Sequence, residues 1–254
     1  MTIPKIIFIV PYRDREAQKN MFIRMMDYVL EDVNNEDYEI YFSHQKDERP
    51  FNRGAMKNLG FIHIRDKYPM HYKDMTFVFN DVDTLPGIKN LWDYNTKAGS
   101  VKHFYGYTFA LGGIVSILGK DFERINGYPS YWGWGCEDNC LQYRCMKKNI
   151  KIDRSIFYPV KHNSILQFNN EFRRPVDKSQ FLKVKQDNGT NGINTIVSIN
   201  KNEESIDSKH FMIHFTSWEI PQKYNSVKLE DITHKKELLQ NNPRNSIMNS
   251  IING

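Results

Sequence analysis

The chain has 254 residues, 40% hydrophobic and 26% charged, which is enough to bury a substantial core in the manner of an ordinary globular protein. Its formal charge of +5 comes from 35 basic and 30 acidic residues spread along the sequence, so an anionic ligand is only weakly favoured. The dense basic stripe with interleaved aromatics expected of a nucleic-acid binder is absent from the sequence.

Lys5 to Val10 is β-rich and closes at Pro11. Its apolar run is far shorter than the about 20 residues that span a bilayer, and charges follow it directly, so a buried strand is expected rather than a signal peptide. Arg13 to about Val33 carries Met21, Phe22, Met25, Met26, Tyr28, Val29 and Leu30 at helical spacing. Asp37 to Ser43 alternates as a second strand, Arg53 to about Lys67 reads as a helix, and Met75 to Phe79 as a third strand. Strands alternating with helices predict an α/β fold with a mainly parallel central sheet. Ligands of such sheets sit beyond the carboxyl ends of the strands. The polar clusters Tyr12-Arg13-Asp14-Arg15, Phe51-Asn52-Arg53 and Asn80-Asp81-Val82-Asp83 fall there.

After Thr84 the pattern loosens. Gly106 to Gly119 and Gly127 to Gly135 are rich in glycine and aromatics. A short helix is expected over Glu137 to Lys148 and a strand near Ile150 to Ile152. His162 to Lys185 is polar and aperiodic, which suits a mobile lid and equally a plain surface loop. Domain organisation is read as one domain over 1–223 and a polar, partly helical extension over 224–254, with a helix near Leu229 to Leu239. Cys136, Cys140 and Cys145 are odd in number and crowded, so reduced thiols are expected rather than a disulfide framework or a zinc ribbon.

Two segments carry chemistry. Phe77-Val78-Phe79-Asn80-Asp81-Val82-Asp83 ends a buried strand in two carboxylates, and hard divalent cations bridge such oxygens to substrate phosphates. Alternation points both acids the same way unless the chain turns at Val82; a capped turn before Leu85-Pro86 is the plainer reading. Tyr131-Trp132-Gly133-Trp134-Gly135-Cys136-Glu137-Asp138 packs aromatics, glycines and adjacent acids together. Glycine admits a ligand close to the backbone, tryptophan offers a flat face to a sugar, and a carboxylate beside it can take a proton from an attacking hydroxyl. Capping of the next helix by the acids is the structural alternative.

These blocks, with Asn58-Leu59-Gly60-Phe61, Leu111-Gly112-Gly113, Asn126-Gly127-Tyr128-Pro129 and the stretch from Asn188-Gly189 to Thr195, occur in the order seen in the β-1,4-galactosyltransferase family, which the chain resembles over about residues 5–200. The resemblance implies a GT-A, Rossmann-like fold with helices on both sheet faces, a UDP-sugar donor, Mn²⁺ (or Mg²⁺) and inversion at the anomeric carbon. It implies that Pro11, Tyr12, Arg13, Arg15, Phe51 and Arg53 hold the nucleotide, with Asp81 and Val82 beside it. It further implies Asp83 and His162 as metal ligands, Trp134 and Glu137 against the donor sugar, and Asp138 as general base. Ala110, Gly112, Gly113, Tyr131 and Trp132 are expected to line the sugar and acceptor side.

The chain departs from the family in several places. A third metal ligand is a Met three residues before the histidine or a His two residues after it, and here Pro159 and Ser164 stand there. His210 and His214 are possible substitutes, although they belong to an expected strand. The family's further acids after Glu-Asp are Asn139 and Cys140 here. Many galactose-specific members have Tyr at the position of Ala110; the smaller side chain leaves room for an N-acetyl group, so galactose, GalNAc and GlcNAc all remain as donor sugars. The acceptor is expected to be a glycan or glycoconjugate. The sequence shows no anchor or leader, so a cytoplasmic protein is expected, and its Asn, Lys and Ile richness fits an AT-rich bacterial or viral genome. Two other readings stay open, a non-catalytic carbohydrate-binding module and a metal-dependent nucleotide-sugar diphosphate hydrolase.

Overall fold

A computed structural model describes residues 2–132, 135–168 and 185–221. The first strand, β1 (Ile6–Tyr12), is buried along its whole length. Ile7 and Ile9 enter one apolar cluster, and Ile6, Phe8 and Val10 the other. A strand covered on both faces needs apolar residues at every position, which is why this segment shows no polar alternation.

Two strands flank β1 in parallel, β2 (Tyr38–Gln45) and β3 (Thr76–Asn80). Beyond β2 lies β11 (His210–Glu219), parallel to it, and then β10 (Val197–Ser205), antiparallel to β11. Beyond β3 the direction reverses: β6 (Ile114–Leu118) is antiparallel to β3, and β5 (Ser100–Gly106) is antiparallel to β6. The short strands β7 (Lys151–Asp153) and β8 (Tyr158–Pro159) run parallel to β5. The path across the sheet is β10-β11-β2-β1-β3-β6-β5-β7. A separate antiparallel pair joins β4 (Thr84–Pro86) to β9 (Ile165–Gln167).

Helices cover both faces. Phe22, Met26 and Val29 of α1 (Glu16–Val29) pack into the cluster of Phe8, while α2 (Arg53–Lys67), α3 (Gly119–Arg124) and α4 (Glu137–Lys147) contribute to that of Ile9. The α/β architecture is the expected one, and α2 has the expected bounds. The first helix is shorter than its periodicity suggested, running from an N-cap at Arg15 to a C-cap at Leu30.

Two details go beyond the sequence reading. The loosened region after Thr84 contains the antiparallel β5 and β6, so the sheet is mainly parallel, as expected, with an antiparallel part that the sequence pattern did not show. The loop expected from His162 begins with β9, whose pairing with β4 gives its first residues backbone partners; 169–184 lie outside the described residues. So does the expected extension over 224–254.

Candidate active site

The acidic strand end is shaped by Asn80. Its side-chain amide donates to the Asp81 carbonyl at 2.9 Å and to the Thr84 carbonyl at 2.7 Å, and Thr84 N donates to Asp81 O at 3.1 Å. The chain therefore turns at Val82, whose side chain is buried. Asp81 carries its carboxylate toward α2, whereas Asp83 Oδ1 accepts from the Thr84 hydroxyl at 3.3 Å.

The start of α2 is fixed from two sides. Asn52 caps it by accepting from Ala55 N at 2.9 Å, donates its side-chain amide to Ser130 O at 3.0 Å, and donates its backbone N–H to Gln45 Oε1 at 2.8 Å. Asn58 donates to Tyr128 O at 2.7 Å and accepts from Tyr128 N at 2.9 Å. These bonds lock α2 against the 128–130 segment, and a spacing of four puts Arg53 and Lys57 on one helix face.

The third component is the first turn of α4. Gly135 and Cys136 both have positive φ, 119° and 66°, and this sharp entry brings Glu137 and Asp138 to the helix N-terminus. The helix dipole favours negative charge there. No side chain caps this end, so the two acids are directed elsewhere.

They meet Arg53. Its Nε lies 2.7 Å from Glu137 Oε1, its Nη1 2.7 Å from Asp81 Oδ2, and its Nη2 contacts Asp138 Oδ2. Lys57, 1% exposed, donates to Asp138 Oδ1 at 3.3 Å and sits 3.9 Å from Asp81 Oδ1. Its ammonium also lies over the Tyr128 ring, 4.4 Å from the centroid. Three carboxylates thus share two cations in a site whose acids keep only 11–19% of their side-chain exposure. Asp81 Oδ1 is buried without a hydrogen-bond partner.

Burial and charge separate the two aspartates. Burial lifts Asp81 above the ordinary carboxylate range, beyond what Arg53 and Lys57 can lower. Burial also works to raise Asp138, but Arg53 and then Lys57 outweigh it and hold this carboxyl below the usual range. Paired acids pushed apart in this way are how one site assigns different roles to like groups.

Gly112 and Gly113 close the site. A Cβ on Gly112 would stand 2.5 Å from Asp138 Oδ2, so a hydrogen is needed there to admit the carboxylate. Gly113, at φ 73°, gives its carbonyl to Asp81 N at 3.1 Å, and Leu111 N donates to Asp138 O at 3.1 Å. Buried His103 spans the Tyr105 and Gly112 carbonyls, 3.0 Å from each. Burial, then the charge of Arg154, lowers its pKa to about 4. Ala110 is buried just before this turn.

The other expected residues are distributed around this centre. Pro11 and Tyr12 are buried at the end of β1, with Tyr12 edge-on to Phe42 and His44. Arg13 donates to Arg49 O, and Arg15 is the N-cap of α1. Phe51 packs partly buried on the core beside α2. Tyr131 is half-buried. Trp132 is 7% exposed and stacks on Trp218 with centroids 5.8 Å apart, the Arg49 guanidinium lying over both rings at 4.7 and 4.2 Å. That ring packs inward rather than offering an open face. Trp134 lies outside the described residues.

Among the described residues, no group of three or more His, Cys, Asp or Glu forms a metal cage. The His162 segment approaches β5 where Lys161 N donates to the Tyr105 hydroxyl at 3.2 Å, and Asp83 lies at the β4 start, accepting from the Thr84 hydroxyl at 3.3 Å. His162 Nδ1 accepts from Ser164 N at 3.2 Å. Such a sparse set fits a hard cation held by one or two protein groups and completed by substrate phosphates. His210 and His214 are engaged elsewhere, the first with Asp207 and the second with His44 and Glu204.

Lys57 and His103 were not anticipated from sequence. Arg53 and Lys57 at i and i+4 were a visible signal for the first, since they place two cations on a helix that starts at the ligand edge of the sheet.

A mixed, largely parallel α/β sheet with this cluster beyond its strand ends is the architecture of a GT-A type protein. Residues 1–94 match the model for the N-terminal region of glycosyl transferase group 7, and residues 95–165 that for the N-terminal domain of galactosyltransferase. The chain belongs to this glycosyltransferase group 7 family, that of the β-1,4-galactosyltransferases. It is 29% identical over 163 residues to β-1,4-galactosyltransferase 1 of Bos taurus, covering 59% of this chain and 38% of that protein. It is 31% identical over 160 residues to the xylosylprotein 4-β-galactosyltransferase of Caenorhabditis elegans, covering 59% and 53%. The chain therefore spans only about a third to a half of the length of these relatives. A Drosophila β-1,4-galactosyltransferase 7 mutant in complex with manganese, UDP-Gal and xylobiose shares the fold, with a TM-score of 0.68 at 19% identity over 87% of this chain and 96% of that one.

Proposed function

We propose that the protein is an inverting, metal-dependent glycosyltransferase. In this reading it moves a hexose or N-acetylhexosamine (galactose, GalNAc or GlcNAc) from a UDP-sugar to a hydroxyl of a glycan or glycoconjugate. The observation that carries the reading is the closed cluster of Arg53 and Lys57 with Asp81, Glu137 and Asp138. Sugar binding alone does not require an acid held ionised by two cations, and general-base chemistry does.

Asp138 is the base. The acceptor hydroxyl attacks the anomeric carbon and its proton passes to a carboxylate oxygen of Asp138. The bond from that carbon to the diphosphate oxygen breaks with inversion. Arg53, the one cation bonded to all three acids, turns to the donor when it binds, and Glu137 is then free to accept from a sugar hydroxyl. Asp83 and His162 are the residues that would hold Mn²⁺ or Mg²⁺, which supplies charge neutralisation for the departing diphosphate. Pro11, Tyr12, Arg13, Arg15 and Phe51 form the nucleotide side.

The test is a donor screen with Mn²⁺, reading UDP release with and without saccharide acceptors for the wild type and Asp138→Asn. Acceptor-dependent release is expected, and Asp138→Asn should lower it about 10²–10⁴-fold. Full transfer by that variant removes Asp138 from its role, and release indifferent to acceptors favours a hydrolase. Ala110, with no bulk above the Gly112 turn, supports turnover of UDP-N-acetylhexosamines. A strong preference for UDP-galactose over both of them counts against that donor.

A further inference from the structure

Arg53 divides one positive charge among three carboxylates, and in the proposed reaction it is drawn to the donor. A base that loses its only counter-charge in a buried site takes up a proton, because burial disfavours the ionised form. Lys57 is the cation that stays. It lies inside α2 with 1% exposure, one turn below Arg53. Its ammonium rests on the face of Tyr128, whose backbone is tied to the same helix by Asn58. It reaches Asp138 Oδ1, the oxygen opposite the one that Arg53 holds.

We propose that Lys57 is a positioning residue that keeps Asp138 ionised and oriented when Arg53 turns to the donor. This rests on Asp138 being the base. The groups facing Asp138 from the packed elements are Arg53 and Lys57 on α2, Asp81 after β3, Tyr128 before α4, Cys136 and Glu137 at the α4 start, and His103 on β5. Lys57 is the one cation among them that is neither exposed at the donor side nor shared by Glu137. The direction of the Asp138 shift agrees, since burial raises it while Arg53 and then Lys57 lower it.

The experiment is the pH profile of kcat and of donor KM for Lys57→Met, which keeps the side-chain length and removes the charge, beside Asp138→Asn. The acid limb of kcat is expected to move up by at least one pH unit, so that transfer falls tenfold or more near the wild-type limb and recovers at high pH. Donor KM stays within about twofold of the wild-type value. An acid limb within 0.3 units (about a twofold change in rate) of the wild type overturns the proposal, because a purely structural loss lowers the rate at every pH without moving the limb. Inactive Asp138→Asn with an unmoved limb in Lys57→Met sinks this inference alone, whereas active Asp138→Asn sinks the base assignment first. Should Lys57→Met not fold, a carboxyl-carbon NMR titration of Asp138 in the wild-type chain with saturating UDP-sugar decides. A midpoint at or below the ordinary aspartate range supports the proposal, and one above it overturns it.

Discussion

Gly112 has no room for a methyl group. Its φ is unremarkable, and the obstacle is the Asp138 carboxylate itself, 2.5 Å from where a Cβ would stand. Gly112→Ala should leave the fold intact and push that carboxylate off its contacts with Arg53 and Lys57. A displacement of about 1 Å in a positioned group costs on the order of 10²-fold in rate. Transfer assays together with a melting curve check this: a rate loss with a nearly unchanged Tm is expected. The thiols behave differently. All three are free, and burial pushes Cys136 up to about 11 and Cys140 and Cys145 up to about 12, which leaves little nucleophilic thiolate at neutral pH. At this scale the sequence showed Asp81, Glu137 and Asp138 through their motifs. It also showed Arg53 but hid Lys57, which looks like any helical lysine until the helix face is known.

Among the elements, α2 depends most on one residue. Asn52 caps the helix and bonds to both Gln45 and Ser130. Asn52→Ala should cost about 2–3 kcal/mol from the lost cap and the unpaired buried groups, measured by chemical denaturation. The outer strand β10 is held to α2 by Glu203, which meets His63 and lies 3.1 Å from Lys67 Nζ. The hydrogen bond from His63, followed by that of Lys67, outweighs burial and holds Glu203 down at about 2. A depressed carboxyl contributes stability that is full above its unfolded value and lost as pH falls through the folded one. Glu203→Gln should therefore lower Tm at neutral pH, and the difference should shrink below about pH 4 and vanish near pH 2. The strands β1 and β3 were legible because burial on both faces forces an apolar run. β10 was not, since its residues Val197 to Ser205 are almost all exposed and polar. Its place is set by pairing with β11 and leaves no hydrophobic period to read.

Across the whole molecule, the site draws on segments that lie far apart in the chain, near residues 53, 81, 112 and 137. Ion pairing across such distances has no periodicity, so the resemblance supplied the grouping that local pattern did not. One buried pair fastens the 187–191 segment to α4. Arg144 meets both oxygens of Asp187 at 2.8 and 2.7 Å and also donates to the carbonyls of Gly127 and Asn191. Asp187→Asn leaves that guanidinium buried without its counter-charge, and such breaks cost about 3–5 kcal/mol. A fall in the denaturation midpoint with an unchanged m-value is the expected result.

The Trp132–Trp218 stack gives the protein an optical reporter of its own. Indole rings with centroids 5.8 Å apart and planes 25° from parallel are close enough for their electronic transitions to couple. Unlabelled protein should therefore show an exciton couplet in its circular dichroism, absent in Trp218→Phe. Because Trp132 stands at the head of the segment leading into Glu137 and Asp138, any rearrangement there on donor binding would change the couplet and could be timed by stopped flow.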